Sequence, residues 1–254
     1  MGIDALSTTD RDERLNIIGI VVALPNEART ITRARLRMGD IVAVGDYALL
    51  ALSGMGALRA TAAAQALARR RVSGLVSWGV AGGLDPALRS GRLLLPKRVI
   101  ADDTRSYIVD AAWRWRLEQL LAGPEAPAGG VLLGSERILD TPDAKHDAFC
   151  TTHASAVDME SAAIAEVARQ EQLPFVAIRA IVDVASEALP AIAMAAIDDA
   201  GRLRLGRLLL QLLSKPSDLL RLITLARQFG RARAALTAAA RACAAELAPA
   251  GKLR

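Results

Sequence analysis

Short apolar runs alternate with amphipathic stretches over roughly the first 190 residues, and no other feature constrains the fold as strongly. Asn16–Ala23 (NIIGIVVA) is short, β-branched and followed by Pro25, the pattern of a buried strand. Glu27–Arg37 reads as a helix. Ile41–Val44 and Tyr47–Leu52 read as a hairpin around Gly45-Asp46. A tight turn, Ser53-Gly54-Met55-Gly56, leads into an Ala-rich helix, Ala57–Arg71, and Gly74–Val80 is the next apolar strand. Gly91–Ile100 and Ser106–Val109 are further strand candidates, Trp113–Leu121 a helix, Gly123–Gly130 a Pro/Gly loop and Val131–Leu133 a strand. Thr141–Cys150 reads as helical, Ser155–Val157 runs into a helix over Met159–Gln170, and Phe175–Val182 is the last strong strand. Strands alternating with helices imply an α/β domain whose mainly parallel sheet is covered on both faces.

Beyond Leu189 the character changes. Leu205–Leu213, Asp218–Gln228 and Arg231–Leu247 read as amphipathic helices, with Pro216 and Gly230 as breaks. Residues 201–254 carry 11 Lys/Arg against 2 Asp/Glu, so in a chain of net charge +5 the first 200 residues are net acidic. The expected organisation is a flexible segment over 1–15, an α/β domain over 16–200 and a basic amphipathic helical extension over 201–254, packed on the same domain. The polar N-terminus lacks the apolar stretch of a secretory signal. Cys150 and Cys243 fit free thiols in a reducing cytoplasm. No apolar run approaches the roughly 18 residues of a membrane span.

Ligands of an open parallel sheet bind at the carboxyl ends of its strands. Glu27, the turn Ser53–Gly56, the stretch Gly79–Asp85, Asp158 with Glu160, and Asp183 all fall there, on different elements able to share one crevice. Each also has a plain reading. Glu27 suits a helix N-terminus, Asp158 an N-cap, Asp183 a turn, and Gly82-Gly83 an ordinary tight turn. Asp-Met-Glu at a strand-to-helix junction is harder to dismiss, and so is Arg179 inside an apolar strand, because a central strand rarely buries a charge without a partner. Ser53-Gly-Met-Gly lacks the third glycine of a dinucleotide loop, and no phosphate loop ends in Gly-Lys-Ser/Thr. His146 and Cys150 alone do not make a zinc site. His153 reads as a loop residue, and two histidines give a serine-hydrolase triad little support. Neither a metal nor a cofactor is expected.

Taken together these residues resemble a known pattern. Val157-Asp158-Met159-Glu160-Ser161 is similar to the ribose-binding signature of the purine nucleosidase/phosphorylase superfamily, and Gly79-Val80-Ala81-Gly82-Gly83-Leu84 resembles its glycine-rich loop. Ser53-Gly54-Met55-Gly56 resembles its Ser-Gly-x-Gly turn, and Arg179-Ala180-Ile181-Val182-Asp183 its last strand end. Order and spacing resemble the methylthioadenosine/S-adenosylhomocysteine nucleosidases over about residues 16–190. Leu75–Gly79 through Asp85–Leu88, Ala188-Leu189-Pro190 and the basic leucine-rich tail resemble the hopanoid-associated branch, the adenosylhopane nucleosidases. The resemblance implies a three-layer fold with a central mixed sheet flanked by helices, plus a helical C-terminal extension. It also implies cleavage of an N-glycosidic bond in an adenine nucleoside with an apolar 5′ substituent.

In that reading Asp183 donates a proton to purine N7, and its other oxygen accepts from the exocyclic amine. Glu160 grips the 2′- and 3′-hydroxyls and stabilises the sugar cation. Met159 packs under the ribose, Glu27 activates water, and Arg179 helps to hold it. Asp158, Ser53, Met55, Gly56, Ala81, Gly82, Arg137 and Ile138 complete the substrate site. Three departures stand out: Val80 and Val182 where the family often has serine, and Arg137 where it stacks an aromatic ring on the purine. Arg137 can stack through its guanidinium plane. Glu27 in the first loop repels phosphate and favours hydrolysis over phosphorolysis. The three carboxylates together argue against a silent nucleoside-binding module. The tail fits either a packed helix with a solvated face or an anionic membrane surface. It has no aromatics apart from Phe229 and no nucleic-acid reader motif. A cytoplasmic homodimer, peripheral on the inner membrane, is the expected context.

Overall fold

The computed structural model describes residues 17–123, 126–190 and 218–244. Ten strands form one mixed sheet: β1 (Ile18–Val22), β2 (Ile41–Val44), β3 (Ala48–Leu52), β4 (Leu75–Gly83), β5 (Leu93–Leu94), β6 (Arg98–Ala101), β7 (Ser106–Ile108), β8 (Val131–Gly134), β9 (Ala156–Asp158) and β10 (Phe175–Ile181). The path runs β2-β3-β1-β4-β9-β8-β6-β7, with β10 beside β4 and β5 beside β10. Nine-residue β4 makes this possible. Its first part lies parallel to β1 and β10, and its last two residues turn to pair antiparallel with β9.

Alternation along β1 and β10 divides the core into two layers. Ile18, Ile20 and Val22 with Val176, Ile178 and Ala180 face one cluster, which also takes Trp78 and Trp113. Val21, Phe175, Ala177 and Ile181 face the other, beneath α2 (Ala57–Ala68) and α5 (Ser161–Gln170). On the first face lie α1 (Pro25–Ala28), α3 (Ala111–Leu120) and α6 (Asp218–Cys243), and α4 (Pro142–Thr152) flanks a third cluster. The α/β fold of three layers around a mixed sheet, with a C-terminal helix, is the observed one.

Several elements differ from the sequence reading. The helix expected over Glu27–Arg37 is the single turn α1. Thr30-Ile31-Thr32 is β-branched and stiff. The Thr30 hydroxyl is also spent locally, donating to Glu27 O and accepting from Trp78 Nε1. The strand expected over Gly91–Ile100 is split into β5 and β6, and Pro96 stands between them without an N–H for a ladder. Gly230 does not break the C-terminal segment: α6 runs through it for 26 residues. A glycine inside a helix costs about 1 kcal/mol, and burial of Ala232, Leu236, Ala239 and Cys243 against the sheet outweighs that. The segment expected to be flexible, 1–15, the helix expected over Leu205–Leu213 and the end of the one expected over Arg231–Leu247 lie outside the described residues. Among those described, no helix is long and apolar enough to cross a membrane.

Candidate active site

The carboxyl ends of β1, β3, β4, β9 and β10 converge, and each delivers a candidate residue. From α1, directly after β1, comes Glu27, 3% exposed. Its Oε2 accepts from Ala23 N at 2.9 Å and Leu24 N at 2.8 Å, and its Oε1 from Val80 N at 2.8 Å. The Val80 amide thus holds the carboxylate whatever the side chain. Burial raises the Glu27 pKa, against the pull of Arg179 and these three amides.

Arg179 is buried and stands directly opposite Gly79 in the β10–β4 register. A Cβ at Gly79 would overlap both Arg179 Nη1 and Glu27 Oε1, so only glycine lets the two side chains pass. The partner that a charge in this strand requires is Asp158, whose Oδ2 lies 2.6 Å from Arg179 Nη2. Nη2 also donates to Ser77 Oγ (2.7 Å) and Ser161 Oγ (3.0 Å). Asp158 accepts in addition from Ser161 N at 3.0 Å and from the Ser161 hydroxyl. The two charges are therefore paired with each other, Arg179 Nε stays buried without a hydrogen-bond partner among the described residues, and Asp158 braces the start of α5 as well as the site.

Glu160 is the residue before α5, and its Oε1 accepts from Gly56 N at 2.8 Å. That bond ties the ribose-grip candidate to the turn after β3. Gly54 and Gly56 hold φ of 84° and 94° there, the left-handed region that suits glycine. Burial first, then the Asp158 charge, push the Glu160 carboxyl up to about 7, while Arg179 and the Gly56 amide pull it down. Met55, Gly56 and Met159 are partly exposed at this point, whereas the Ser53 hydroxyl is turned onto Val22 O and Gly54 O.

Asp183, just past β10, lies across from Gly82, and its Oδ1 makes no hydrogen bond among the described residues. Its Oδ2 accepts from Lys145 Nζ at 2.5 Å. Sequence reasoning missed Lys145. One lysine on a helix reads as a solvated face, and the only signal is its place on a stripe with Ala148, Phe149 and Thr152, at helical spacing. Arg137 and Ile138 follow the end of β8. They line a cavity of about 600 Å³ between the end of β8 and α4, with Ile100, Asp102, Leu133 and Leu139, and neither Glu27, Glu160 nor Asp183 borders it. No cluster of metal-ligating side chains occurs among the described residues.

The family model of the phosphorylase superfamily matches residues 17–214. A 5′-methylthioadenosine/S-adenosylhomocysteine nucleosidase of Geobacillus thermodenitrificans is 30% identical over 163 residues, 56% of this chain and 69% of the relative. That of Tolumonas auensis is 29% identical over 192 residues, 65% of this chain and 79% of the relative. Among solved structures, the Helicobacter pylori nucleosidase of the same name matches with a TM-score of 0.68 at 17% identity, over 92% of this chain and 99% of that one. The Helicobacter pylori futalosine hydrolase matches with a TM-score of 0.68 at 16% identity over the same shares. At these identities the solved structures establish the fold.

Proposed function

The chain belongs to the phosphorylase superfamily, and from that premise we propose that it hydrolyses the N-glycosidic bond of an adenosine carrying an apolar 5′ substituent. The observation that carries this reading is Glu27. It is a buried carboxylate held by three backbone amides at the strand ends, with its proton affinity raised by burial. Such a group accepts a proton from water and repels phosphate. The arginine beside it, Arg179, is committed to Asp158.

The chemistry then follows from the geometry. Water attacks C1′ as the glycosidic C–N bond breaks, and its proton passes to Glu27. Asp183 donates from Oδ1 to purine N7, so that adenine leaves neutral. The second lone pair of Oδ2 remains to accept from the exocyclic amine, which a 6-oxo purine lacks. Glu160, fixed by Gly56, takes the ribose hydroxyls and balances the sugar cation. Met159 packs under the ribose, and the pocket continues past Met55, Gly56, Ala81 and Gly82. Arg137 and Ile138 flank the purine side.

We assign adenosylhopane as substrate, giving adenine and ribosylhopane, on the likeness of Leu75–Leu88 and the tail to the hopanoid-associated branch. The first half of α6 offers a surface for the bilayer such a lipid occupies. Leu220 and Ile223 are exposed there beside Arg221 and Arg227, whereas the second half buries one face, Ala232, Leu236, Ala239 and Cys243, against the sheet. A homodimer completing the 5′ pocket belongs to the same reading. The 30% identity to a methylthioadenosine/S-adenosylhomocysteine nucleosidase favours a second reading, with a small thioether at the 5′ position. Incubation with adenosylhopane in anionic vesicles, 5′-methylthioadenosine and inosine, with released base measured by chromatography, separates these. The reading expects adenine from adenosylhopane, at a higher kcat/KM than from the thioether, and nothing from inosine. Release of hypoxanthine, or of no base from any of the three, refutes it.

A further inference from the structure

Lys145 has no outlet to solvent. Its ammonium has three N–H donors and no acceptor, and three oxygens take them: Asp183 Oδ2 at 2.5 Å, Val184 O at 3.0 Å and Glu187 O at 2.7 Å. Burying an ammonium is costly unless it is paired and hydrogen-bonded, and an apolar residue would fill the same face of α4 without that cost. Packing therefore does not explain a lysine here. The two carbonyls belong to the segment that follows Asp183, and that segment is itself anchored. Glu187 N donates to Val184 O at 3.1 Å, and Gln228 of α6 donates from Nε2 to Glu187 Oε2. The ammonium is thus fixed on three sides, with one oxygen of Asp183 as its only side-chain contact among the described residues.

We infer that Lys145 is a positioning residue for Asp183: it locks Oδ2, aims Oδ1 at the substrate and stabilises the carboxylate left after proton transfer. In that step the Asp183 Oδ1–H bond breaks, an N7–H bond forms, and the electron pair of the glycosidic bond stays with the base. The negative charge created on Asp183 appears beside an ammonium that keeps its own three protons. With Val182 where the superfamily often has serine, no hydroxyl from the preceding residue is available for this task, and the lysine supplies the donor from a different element. The inference rests on the proposed nucleosidase reading.

The test uses a leaving group that needs no proton. Lys145→Met is assayed on 5′-methylthioadenosine and on a 4-nitrophenyl riboside carrying the same 5′ group, whose nitrophenolate departs unprotonated. The expected result is a fall in kcat of about a hundredfold on the nucleoside, with KM little changed. The expected loss on the nitrophenyl riboside is less than about threefold. Lys145→Gln, which keeps a donor without the charge, shows the same split and serves if the methionine variant does not fold. Equal loss on both substrates by a variant whose circular dichroism and melting match the native protein overturns the inference. So does the absence of loss on the nucleoside, and so does a chain that folds with neither substitution. A native enzyme that releases base from no 5′-modified adenosine refutes the functional reading instead, and that result is visible before any variant is made.

Discussion

Glu160→Gln is expected to make the protein more stable while removing its activity. In the folded chain burial and the neighbouring Asp158 charge push the Glu160 carboxyl from its ordinary value, 4.5, up to about 7. At about 1.4 kcal/mol per pH unit, keeping it ionised in the fold costs about 3 kcal/mol more than in the unfolded chain. A raised carboxyl pKa means that the folded state holds the proton more tightly. Native stability from this group is therefore full below about pH 4.5 and falls as pH rises towards 7. Glutamine keeps an oxygen for the Gly56 amide and carries no charge. The stability advantage of the variant grows from less than about 1 kcal/mol at pH 5 to about 3 kcal/mol at pH 8. At about 2–4 °C per kcal/mol for a chain of this size, that is a melting point about 6–12 °C higher at pH 8. Thermal and urea unfolding of both proteins at the two pH values measures the difference, and kcat/KM on a 5′-modified adenosine should drop by at least about a hundredfold. A variant less stable than the native protein at pH 8, or a difference that does not change with pH, refutes the reasoning.

Three other outcomes are expected. Asp183→Asn lowers kcat by about a hundredfold or more with the fold intact, and near-native turnover would remove Asp183 from the mechanism. Arg179→Met leaves Asp158 buried without its cation and destabilises by about 3–5 kcal/mol, as read by urea unfolding. A loss under about 1 kcal/mol would show that the pair is dispensable. Leu236→Ala empties a fully buried position beneath the sheet and costs about 2–5 kcal/mol, which calorimetry would detect. Native-like melting would mean that the second half of α6 is not part of the core.

Much of this site could be read from sequence because its residues sit where chemistry and chain direction coincide. Glu27, Asp158, Glu160 and Asp183 each follow a short apolar run, and strands carry such ends to one side of a sheet. Arg179 betrayed itself by its surroundings: a guanidinium among Val, Ala and Ile needs a buried carboxylate, and Asp158 is that carboxylate. Lys145 had no comparable signal, because its acceptors are a carboxylate 38 residues away and two backbone carbonyls, none visible in local spacing. Gly230 misled because an isolated glycine weakens a helix only slightly, and tertiary burial of the turns beyond it decided the outcome. Glu27–Arg37 misled in the opposite sense. It reads as a helix, but the Thr30 hydroxyl bonds locally to Glu27 O and Trp78 after one turn. Arg137 and Ile138 follow β8 and border a cavity whose lining does not include the three carboxylates, a grouping that linear order does not encode.

The central claim is that water, held by Glu27, is the nucleophile. Its most direct test is a reaction with a 5′-modified adenosine in phosphate-free buffer made with ¹⁸O-labelled water, and the sugar product analysed by mass spectrometry. The account predicts full turnover without phosphate, one ¹⁸O in the ribose at C1′, and no change in rate when phosphate is added. Turnover that appears only with phosphate, yielding a ribose 1-phosphate without the label, would contradict it.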